Sequence, residues 1–371
     1  MPKLQLIKSS SAWLQRSQHV NANLQNAPHS KISNIESQGS AIVMAVDLSN
    51  TFVVGISATA LFDMSESDRV YRQAQSENPN TAVSVYRAHM LETENEPLLP
   101  GTGYPLVKAL LGLNQYASAD QPSLVEVVVM SRNSPDTGLR VLHNIRRHEL
   151  KISRSAFTGG ESVPDYLDAF DVDLFLTTNA EDAQKVIDAR ACAAAVLKEP
   201  PTGAEGEIPE GQVRIAFDGD AVLFSDESEL VFKTQGLQAF HDHEDAHQDE
   251  PLEEGPYAHL LRKLSRLQER LPQGVDRSPV RIALVTARDS PAEMRVIKTL
   301  RSWGVHVDEA FFMGGVEKTK VLKAFQPHVF FDDQDVHLDE AAKLVPSGKV
   351  PYSSASALNH LAGKATEAVK E

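Results

Sequence analysis

The chain has 371 residues, 42% of them hydrophobic, and a formal net charge of −15. This length suffices for two ordinary domains, and the apolar fraction is typical of a soluble protein with a buried core. The acidic excess argues against a nucleic-acid partner but not against a small phosphate ester, whose site needs only one or two cations and a metal. Because no apolar run reaches about 18 residues and no signal-peptide pattern opens the chain, we expect no membrane span and a cytoplasmic location.

Composition divides the chain into four parts. Residues 1–40 are polar and lack periodicity, which predicts an N-terminal arm. Residues 198–210 combine Pro, Gly and acidic residues, which predicts a linker between a first half at 41–197 and a second half at 211–371. In both halves, short apolar runs alternate with longer helical patterns, so we predict an α/β fold with a doubly wound parallel sheet. The lone Cys192 lies among alanines and is predicted to be a small buried side chain.

The two halves resemble each other in sequence. Five short matches, such as 129–135 with 285–291, occur in one order and at nearly constant spacing. We infer a duplication of one α/β unit; the alternative is that any two doubly wound sheets share Gly-rich turns. This alignment places Ile56 and Ala58, then Met130, then Thr177 and Thr178 where the second half has its polar motifs, so the first half is predicted to be non-catalytic.

The first motif of the second half is an Asp-Gly-Asp turn. The predicted strand Val213–Phe217 ends in Asp218, Gly219 and Asp220. Asp218 can attack phosphorus, Asp220 can protonate the leaving oxygen and later activate water, and Gly219 lets the backbone approach a phosphate closely. The alternative is an ordinary solvated turn.

Two further motifs offer groups that can bind a phosphoryl oxygen. Thr286, Ala287 and Arg288 follow a predicted strand at 281–285, and the Thr286 hydroxyl can donate to phosphate. Lys318 follows a glycine pair and can neutralise charge on a transferring phosphoryl group, with Lys320 as the competing candidate. The alternatives are a helix N-cap at the threonine and solvated lysines.

The fourth motif is a pair of adjacent acids, Asp332 and Asp333, after a predicted strand at 329–331. Adjacent carboxylates repel each other, and a divalent cation relieves this repulsion. A site of oxygen ligands alone fits Mg²⁺ rather than zinc. The nearest approach to a zinc cluster is His241, His243 and His247, which we predict to form a polar helix face.

The four motifs in this order resemble those of the haloacid dehalogenase superfamily. The resemblance implies that Asp218 is the nucleophile and Asp220 the acid and base. It also implies that Mg²⁺ is held by Asp218, the Asp220 backbone carbonyl, and Asp333 or Asp332. Asp333 is favoured as the direct ligand, with Asp332 acting through water.

A closer resemblance covers most of the chain. Residues 216–229, 284–288, 299–304 and 330–334 are similar to the cytosolic 5′-nucleotidase type I family. The family implies hydrolysis of nucleoside 5′-monophosphates to nucleosides and phosphate. One departure, Ser-Ala-Thr at 57–59 where the family tends to have Ser-Ser-Arg, leaves the base preference open.

The insert at 225–280 is expected to form a helical cap over the active site, because inserts at this place do so in the superfamily. Phe240, His243 and Tyr257 are its candidate pocket residues, and Arg132 is a candidate from the first half. Two alternatives stay open: a phosphatase for another small phosphoester, and a catalytically silent nucleotide-binding regulatory protein. A homo-oligomer is possible on this sequence.

Overall fold

The computed structural model describes residues 46–118, 122–203, 211–272, 278–359 and 361. The chain divides into two compact units, Met1–Val46 and Asp47–Glu371, and every element below belongs to the second. The predicted arm at 1–40 and residues 204–210 of the predicted linker lie outside the described residues.

One or more α-helices lie between most successive strands of the described chain, in line with the predicted α/β pattern. The strands are β1 (Phe52–Ser57), β2 (Val125–Ser131), β3 (Arg154–Phe157), β4 (Leu174–Thr177), β5 (Ala193–Leu197), β6 (Val213–Phe217), β7 (Val280–Thr286), β8 (Glu309–Phe312), β9 (Val329–Asp332) and β10 (Ser347–Lys349). The α-helices are α1 (Ala58–Leu61), α2 (Ser65–Glu77), α3 (Pro79–Glu92), α4 (Tyr104–Gly112), α5 (Leu139–Arg147), α6 (Ala180–Ala189), α7 (Glu227–Gln235), α8 (Leu237–Ala246), α9 (Ala258–Glu269), α10 (Glu293–Ser302), α11 (Thr319–Phe325) and α12 (Asp335–Ala341). Short 3₁₀ turns lie at Leu113–Tyr116, Pro164–Tyr166 and Asp168–Phe170, and a π turn lies at Gly219–Leu223.

The described strands form one ten-stranded sheet in the order β3-β2-β1-β4-β5-β10-β9-β6-β7-β8. The neighbours pair in parallel except β5 with β10, which are antiparallel. This arrangement confirms the predicted α/β class with a mostly parallel sheet. Strand β6 has its predicted bounds, whereas β7 and β9 extend slightly beyond theirs.

The order of the strands repeats within the sheet. Counted from one edge, the first five strands follow the order 3-2-1-4-5, and counted from the other edge the last five follow 8-7-6-9-10. The two sets meet where Gly348 of β10 pairs with Leu197 of β5. A Cβ atom on Gly348 would lie 3.1 Å from the Cβ of Ala195, so glycine permits this close join. This repeated order is what a duplicated α/β unit would produce.

The core explains why the central strands are nearly all apolar. Helices cover both faces of a parallel sheet. The side chains of a central strand, which point to the two faces in turn, are therefore all buried. Ile56, Phe217 and Phe331 are fully buried in one apolar cluster that includes residues of both strand sets. Among the described residues, no helix is long and apolar enough to cross a membrane.

Candidate active site

Three of the predicted motifs meet at the carboxyl ends of neighbouring strands. Asp218 follows β6, Thr286 ends β7 and Asp332 ends β9. Because these strands are parallel and adjacent, their ends lie at one edge of the sheet. Lys318, which precedes α11, completes the group, and all four residues are at most 4% exposed. The fold therefore builds a buried, charged cluster where ligands bind in such sheets.

Lys318 joins two of these carboxylates. Its Nζ atom lies 3.0 Å from Asp218 Oδ1 and 2.7 Å from Asp332 Oδ2. Burial alone would lower the pKa of Lys318, but the two carboxylates raise the pKa above its ordinary value, so the ammonium stays charged. Lys320, the competing candidate, is exposed and lines a separate cavity with Arg214 and Arg281. The structure thus brings Lys318, and not Lys320, to the acids.

Asp218 experiences opposing electrostatic effects. Burial raises the pKa of Asp218 above its usual range, the Lys318 ammonium opposes this shift, and the neighbouring Asp332 adds to it. The backbone N–H of Gly219 donates to Asp218 Oδ1 at 2.7 Å. A further positive charge at this place would favour the ionised form that a nucleophile needs.

The Asp-Gly-Asp turn is packed tightly against β7. A Cβ atom on Gly219 would lie 3.2 Å from Thr286 Oγ1, so only glycine allows this approach without a shift of the threonine. Ala221, one residue past the motif, has a φ of 57°, in the left-handed region that non-glycine residues rarely adopt. The exposed Ala287, also predicted to bind phosphate, accepts a hydrogen bond from Gly315 N–H at 3.2 Å through its carbonyl.

Arg288 is held by acids rather than left free for phosphate. Its Nε and Nη2 atoms donate to Asp220 Oδ2 and Oδ1 at 2.8 and 2.6 Å, and its Nη1 donates to Glu244 of α8 at 2.5 Å. The guanidinium lies 5.4 Å from the centre of the Phe240 ring. Both carboxylate oxygens of Asp220 thus accept from Arg288, which fixes the orientation of this carboxylate. Each oxygen keeps a second lone pair that can carry a proton.

The two acids at the end of β9 have different surroundings. Asp332 Oδ1 accepts from Gln334 N–H at 2.8 Å, and its Oδ2 faces Lys318 and His337 Nδ1, the latter at 3.2 Å. Asp333 Oδ2 accepts from the Tyr352 hydroxyl, whereas Asp333 Oδ1 is buried and has no hydrogen-bond partner within the described residues. Burial, followed by the charge of Glu229, raises the pKa of Asp333 well above its usual value.

One group of described side chains is arranged to hold a cation: Asp218, Asp332 and His337 each place one ligand atom within 4.8 Å of the others. Separately, Asp333 Oδ1 is a buried oxygen that lacks the hydrogen bond buried acceptors usually have.

The cap residues predicted to line a pocket lie in different environments. Phe240 is buried beneath Arg288 and lies beside the site. His243 Nδ1 lies 3.1 Å from Glu244 Oε1, so it supports the acid that binds Arg288. Tyr257 is 0% exposed and packs on Phe331, with ring centres 5.1 Å apart. Tyr257 is therefore a core residue rather than a pocket residue.

Arg132 lies in the first half. Its Nε atom donates to Asp182 Oδ2 at 3.1 Å, and its Nη2 atom pairs with the other oxygen of the same carboxylate. Within the described residues, no recorded polar contact joins Arg132 to the cluster around Asp218. The structure does not bring this predicted pocket residue to the site.

Sequence reasoning missed four residues that support the site: Glu229, Glu244, Arg295 and Tyr352. Glu244 lies in a His- and acid-rich segment that we predicted to be a polar helix face, yet it is 0% exposed. Tyr352 follows β10 in a short Pro-Tyr-Ser-Ser stretch without any recognisable motif. Acids and tyrosines of this kind are usually solvated, so only their tertiary contacts distinguish them.

Hydrogen bonds align the first half with the second. Thr158 N–H donates to the Ser131 carbonyl at 2.9 Å, as Met313 N–H donates to the Thr286 carbonyl at 2.9 Å. The counterpart of Thr286 in the first half is therefore Ser131. The sequence alignment had predicted Met130, which is one residue too early.

The same shift applies at the Asp-Gly-Asp turn. Ser57 is the N-cap of α1, and Asp218 is the N-cap of the π turn. The counterpart of Asp218 in the first half is therefore Ser57, and not Ile56 as the sequence alignment predicted. The π turn holds five residues where α1 holds four, which accounts for the one-residue slip. Thr59, in place of Ala58, is then the counterpart of Asp220.

At the end of β4 the alignment agrees with the structure. Asn179 N–H donates to Thr177 Oγ1 at 3.0 Å, as Gln334 N–H donates to Asp332 Oδ1 at 2.8 Å. Hydroxyl side chains thus stand in the first half where carboxylates stand in the second.

The chain is similar in sequence to known proteins. A family model described as 5′-nucleotidase matches residues 44–357. The chain is 35% identical over 305 residues to human cytosolic 5′-nucleotidase 1B, an alignment that covers 80% of this chain and 48% of that protein. The chain therefore spans about half the length of this curated relative. No solved structure matches the chain at a significant level.

Proposed function

The chain belongs to the 5′-nucleotidase family, in its cytosolic type I group, and on this premise we propose that it hydrolyses nucleoside 5′-monophosphates to nucleosides and phosphate. The observation that carries the proposal is the buried cluster in which Lys318 contacts both Asp218 and Asp332 at the carboxyl edge of the sheet. A nucleophile, a fixed cation and further carboxylates at one strand edge are the groups that phosphoryl transfer needs. We extend the cytoplasmic location to this chain on the name of its relative.

In the proposed first step, an oxygen of Asp218 attacks the phosphorus and forms a P–O bond as the bond to the 5′ oxygen breaks. Asp220, in its protonated form, gives a proton to the leaving 5′ oxygen and so releases the nucleoside. In the second step Asp220 takes a proton from water, whose oxygen attacks the aspartyl-phosphate and frees phosphate and the Asp218 carboxylate. Lys318 offsets the charge on the phosphoryl oxygens, and Thr286 donates its hydroxyl to one of them.

The family is of the metal-dependent phosphatase kind, and we propose Mg²⁺ as its cation. Asp218, the backbone carbonyl of Asp220 and Asp333 would hold it, since oxygen donors suit this ion. The unpartnered Oδ1 of Asp333 supports this set. A set of Asp218, Asp332 and His337 fits Mg²⁺ less well, because one of its ligand atoms is a nitrogen. Asp332 also accepts three hydrogen bonds from other residues of the protein. Held by Asp218, the Asp220 carbonyl and Asp333, the cation would offset the negative charge of the carboxylates and of the phosphate.

We further propose that the chain arose by duplication and that only the half at 211–371 is catalytic. The repeated strand order supports the duplication. Ser57, Thr59 and Thr177 stand in the first half where the second has Asp218, Asp220 and Asp332. A hydroxyl lacks the charge that a metal-dependent phosphoryl transfer requires, so the first half would lack this chemistry.

The test is phosphate release from a panel of ribo- and deoxynucleoside 5′-monophosphates and phosphosugars, with Mg²⁺ and with EDTA. We expect turnover of nucleotides only with Mg²⁺, and at least a 10⁴-fold loss in Asp218→Asn. The matched control is Asp242→Asn, an exposed aspartate on α8 that should retain wild-type activity. Turnover by Asp218→Asn would contradict the aspartyl-phosphate step, and equal rates on phosphosugars would contradict the substrate class.

A further inference from the structure

The segment that follows β10 connects the first half to the acids of the second. This C-terminal strap comprises residues 350–358. Gln184 of α6 donates to the Tyr352 carbonyl at 2.8 Å, and Ser354 donates through its backbone N–H and its hydroxyl to Asp188 of α6, each at 2.7 Å. Farther along, the Ser356 hydroxyl donates to the Asp226 carboxylate, beside the start of α7. The strap is therefore tied at both ends.

The tied segment places one hydroxyl among the acids. The Tyr352 hydroxyl donates to Asp333 Oδ2 and lies 3.4 Å from Glu229 Oε1. A tyrosine hydroxyl has one proton, and the contact with Asp333 is the shorter, so the proton goes to Asp333. Lys233 helps to hold the ring in place: its Nζ atom lies 5.8 Å from the ring centre and 2.6 Å from Glu229 Oε1.

Glu229 and Gln334 complete the frame around this carboxylate. The Gln334 side chain donates to Glu229 Oε1 at 3.0 Å, so the cap helix α7 is linked to the residue next to Asp333. With Oδ2 engaged by Tyr352, the other oxygen of Asp333 is left buried and without a partner among the described residues. Such an oxygen is costly unless a cation or donor meets it.

From these contacts we propose that Tyr352 is a positioning residue: it engages Asp333 Oδ2 and thereby turns Asp333 Oδ1 toward the divalent cation. This rests on the proposed function for the cation. It also assigns a task to the first half, since Gln184 and Asp188 of α6 anchor the strap that carries the tyrosine.

The test is the affinity of the full-length chain for Mn²⁺ alone, measured by calorimetry without substrate, in the wild type and in Tyr352→Phe. Removing a hydrogen-bond partner of a metal ligand typically weakens affinity by 10- to 100-fold, so we expect the Kd for Mn²⁺ to rise at least tenfold. The Mg²⁺ concentration for half-maximal turnover should rise by the same factor, while kcat at saturating Mg²⁺ stays near that of the wild type. Tyr166→Phe, which alters an exposed tyrosine of the first half, is the matched control and should leave the affinity unchanged.

A second variant tests the anchor in the first half. Asp188→Ala removes the acceptor of Ser354, and we expect a smaller rise in the Mn²⁺ Kd, in the same direction. A Kd for Tyr352→Phe within twofold of the wild type would overturn the proposal, as would a wild type that does not bind Mn²⁺. Weaker Mn²⁺ binding by Tyr352→Phe in a protein that hydrolyses no nucleotide would support the positioning role and contradict the proposed function alone.

Discussion

Replacing Glu244 with Gln is expected to lower the free energy of unfolding by about 3 kcal/mol. Glu244 is 0% exposed and accepts from Arg295 at 3.0 Å, from Ser228 at 2.8 Å and from Arg288. Burial alone would raise the pKa of Glu244, but Arg288, the Ser228 hydrogen bond and Arg295 hold the pKa below its ordinary value, so the side chain is ionised. The amide keeps the shape and can still accept from Ser228.

The size of the effect follows from what the arginines retain. Removing one partner of a buried ion pair costs about 3–5 kcal/mol, because the remaining charge stays buried without compensation. Arg288 keeps Asp220, and Arg295 keeps the Glu250 carbonyl at 2.9 Å. Both guanidiniums are thus partly compensated, and we expect the lower end of that range.

The assay is urea denaturation followed by two spectroscopic probes whose transitions must coincide. The matched control is Glu227→Gln, because the Glu227 side chain is 46% exposed and its ion pair within the described residues is a long one, at 3.6 Å from His243. Its stability should change by less than about 0.5 kcal/mol. A loss below about 1 kcal/mol for Glu244→Gln would refute the idea that its charge holds helix α8 against Arg288 and Arg295.

Two further predictions concern pH and reactivity. Burial lowers the pKa of His328 from 6.5 to about 4, and its Nδ1 accepts from Arg214 N–H. The folded state therefore favours the neutral ring, so stability is full above pH 6.5 and falls by about 3 kcal/mol as the pH drops to 4. Urea denaturation at several pH values should show a smaller loss of stability between pH 6.5 and 4 in His328→Asn than in the wild type. Equal losses in the two proteins would contradict the role of His328. Burial also raises the pKa of Cys192 to about 12. Cys192 is half-buried rather than fully buried as predicted. Iodoacetamide at pH 8 should alkylate the folded protein roughly a thousand times more slowly than the urea-unfolded chain, as mass spectrometry can measure, and similar rates would refute the raised pKa of this thiol.

Much of the fold could be predicted because the buried parallel strands are short apolar runs. Strand β6 was predicted with its bounds, since an apolar run is followed directly by Asp218 and Gly219. The same logic explains why Asp332 shares a sheet edge with Asp218, because parallel neighbouring strands end at the same edge. The residue-by-residue alignment of the two halves was harder to predict. One additional residue in the π turn shifts the counterpart of Asp218 from Ile56 to Ser57.

The sequence by itself determined the class of the fold, the four motifs and the family, because these depend on local patterns of apolar runs, glycines and acids. Only the tertiary structure decided that Lys318 rather than Lys320 reaches the acids, that Arg288 binds Asp220, and that Tyr352 contacts Asp333. These facts depend on contacts between residues far apart in the chain, where a shift of one residue turns a side chain to the other face of its strand or helix. No local pattern records such contacts, which is why the residues that support the site were found only from the contacts of the strap, of helices α7 and α8, and of the sheet.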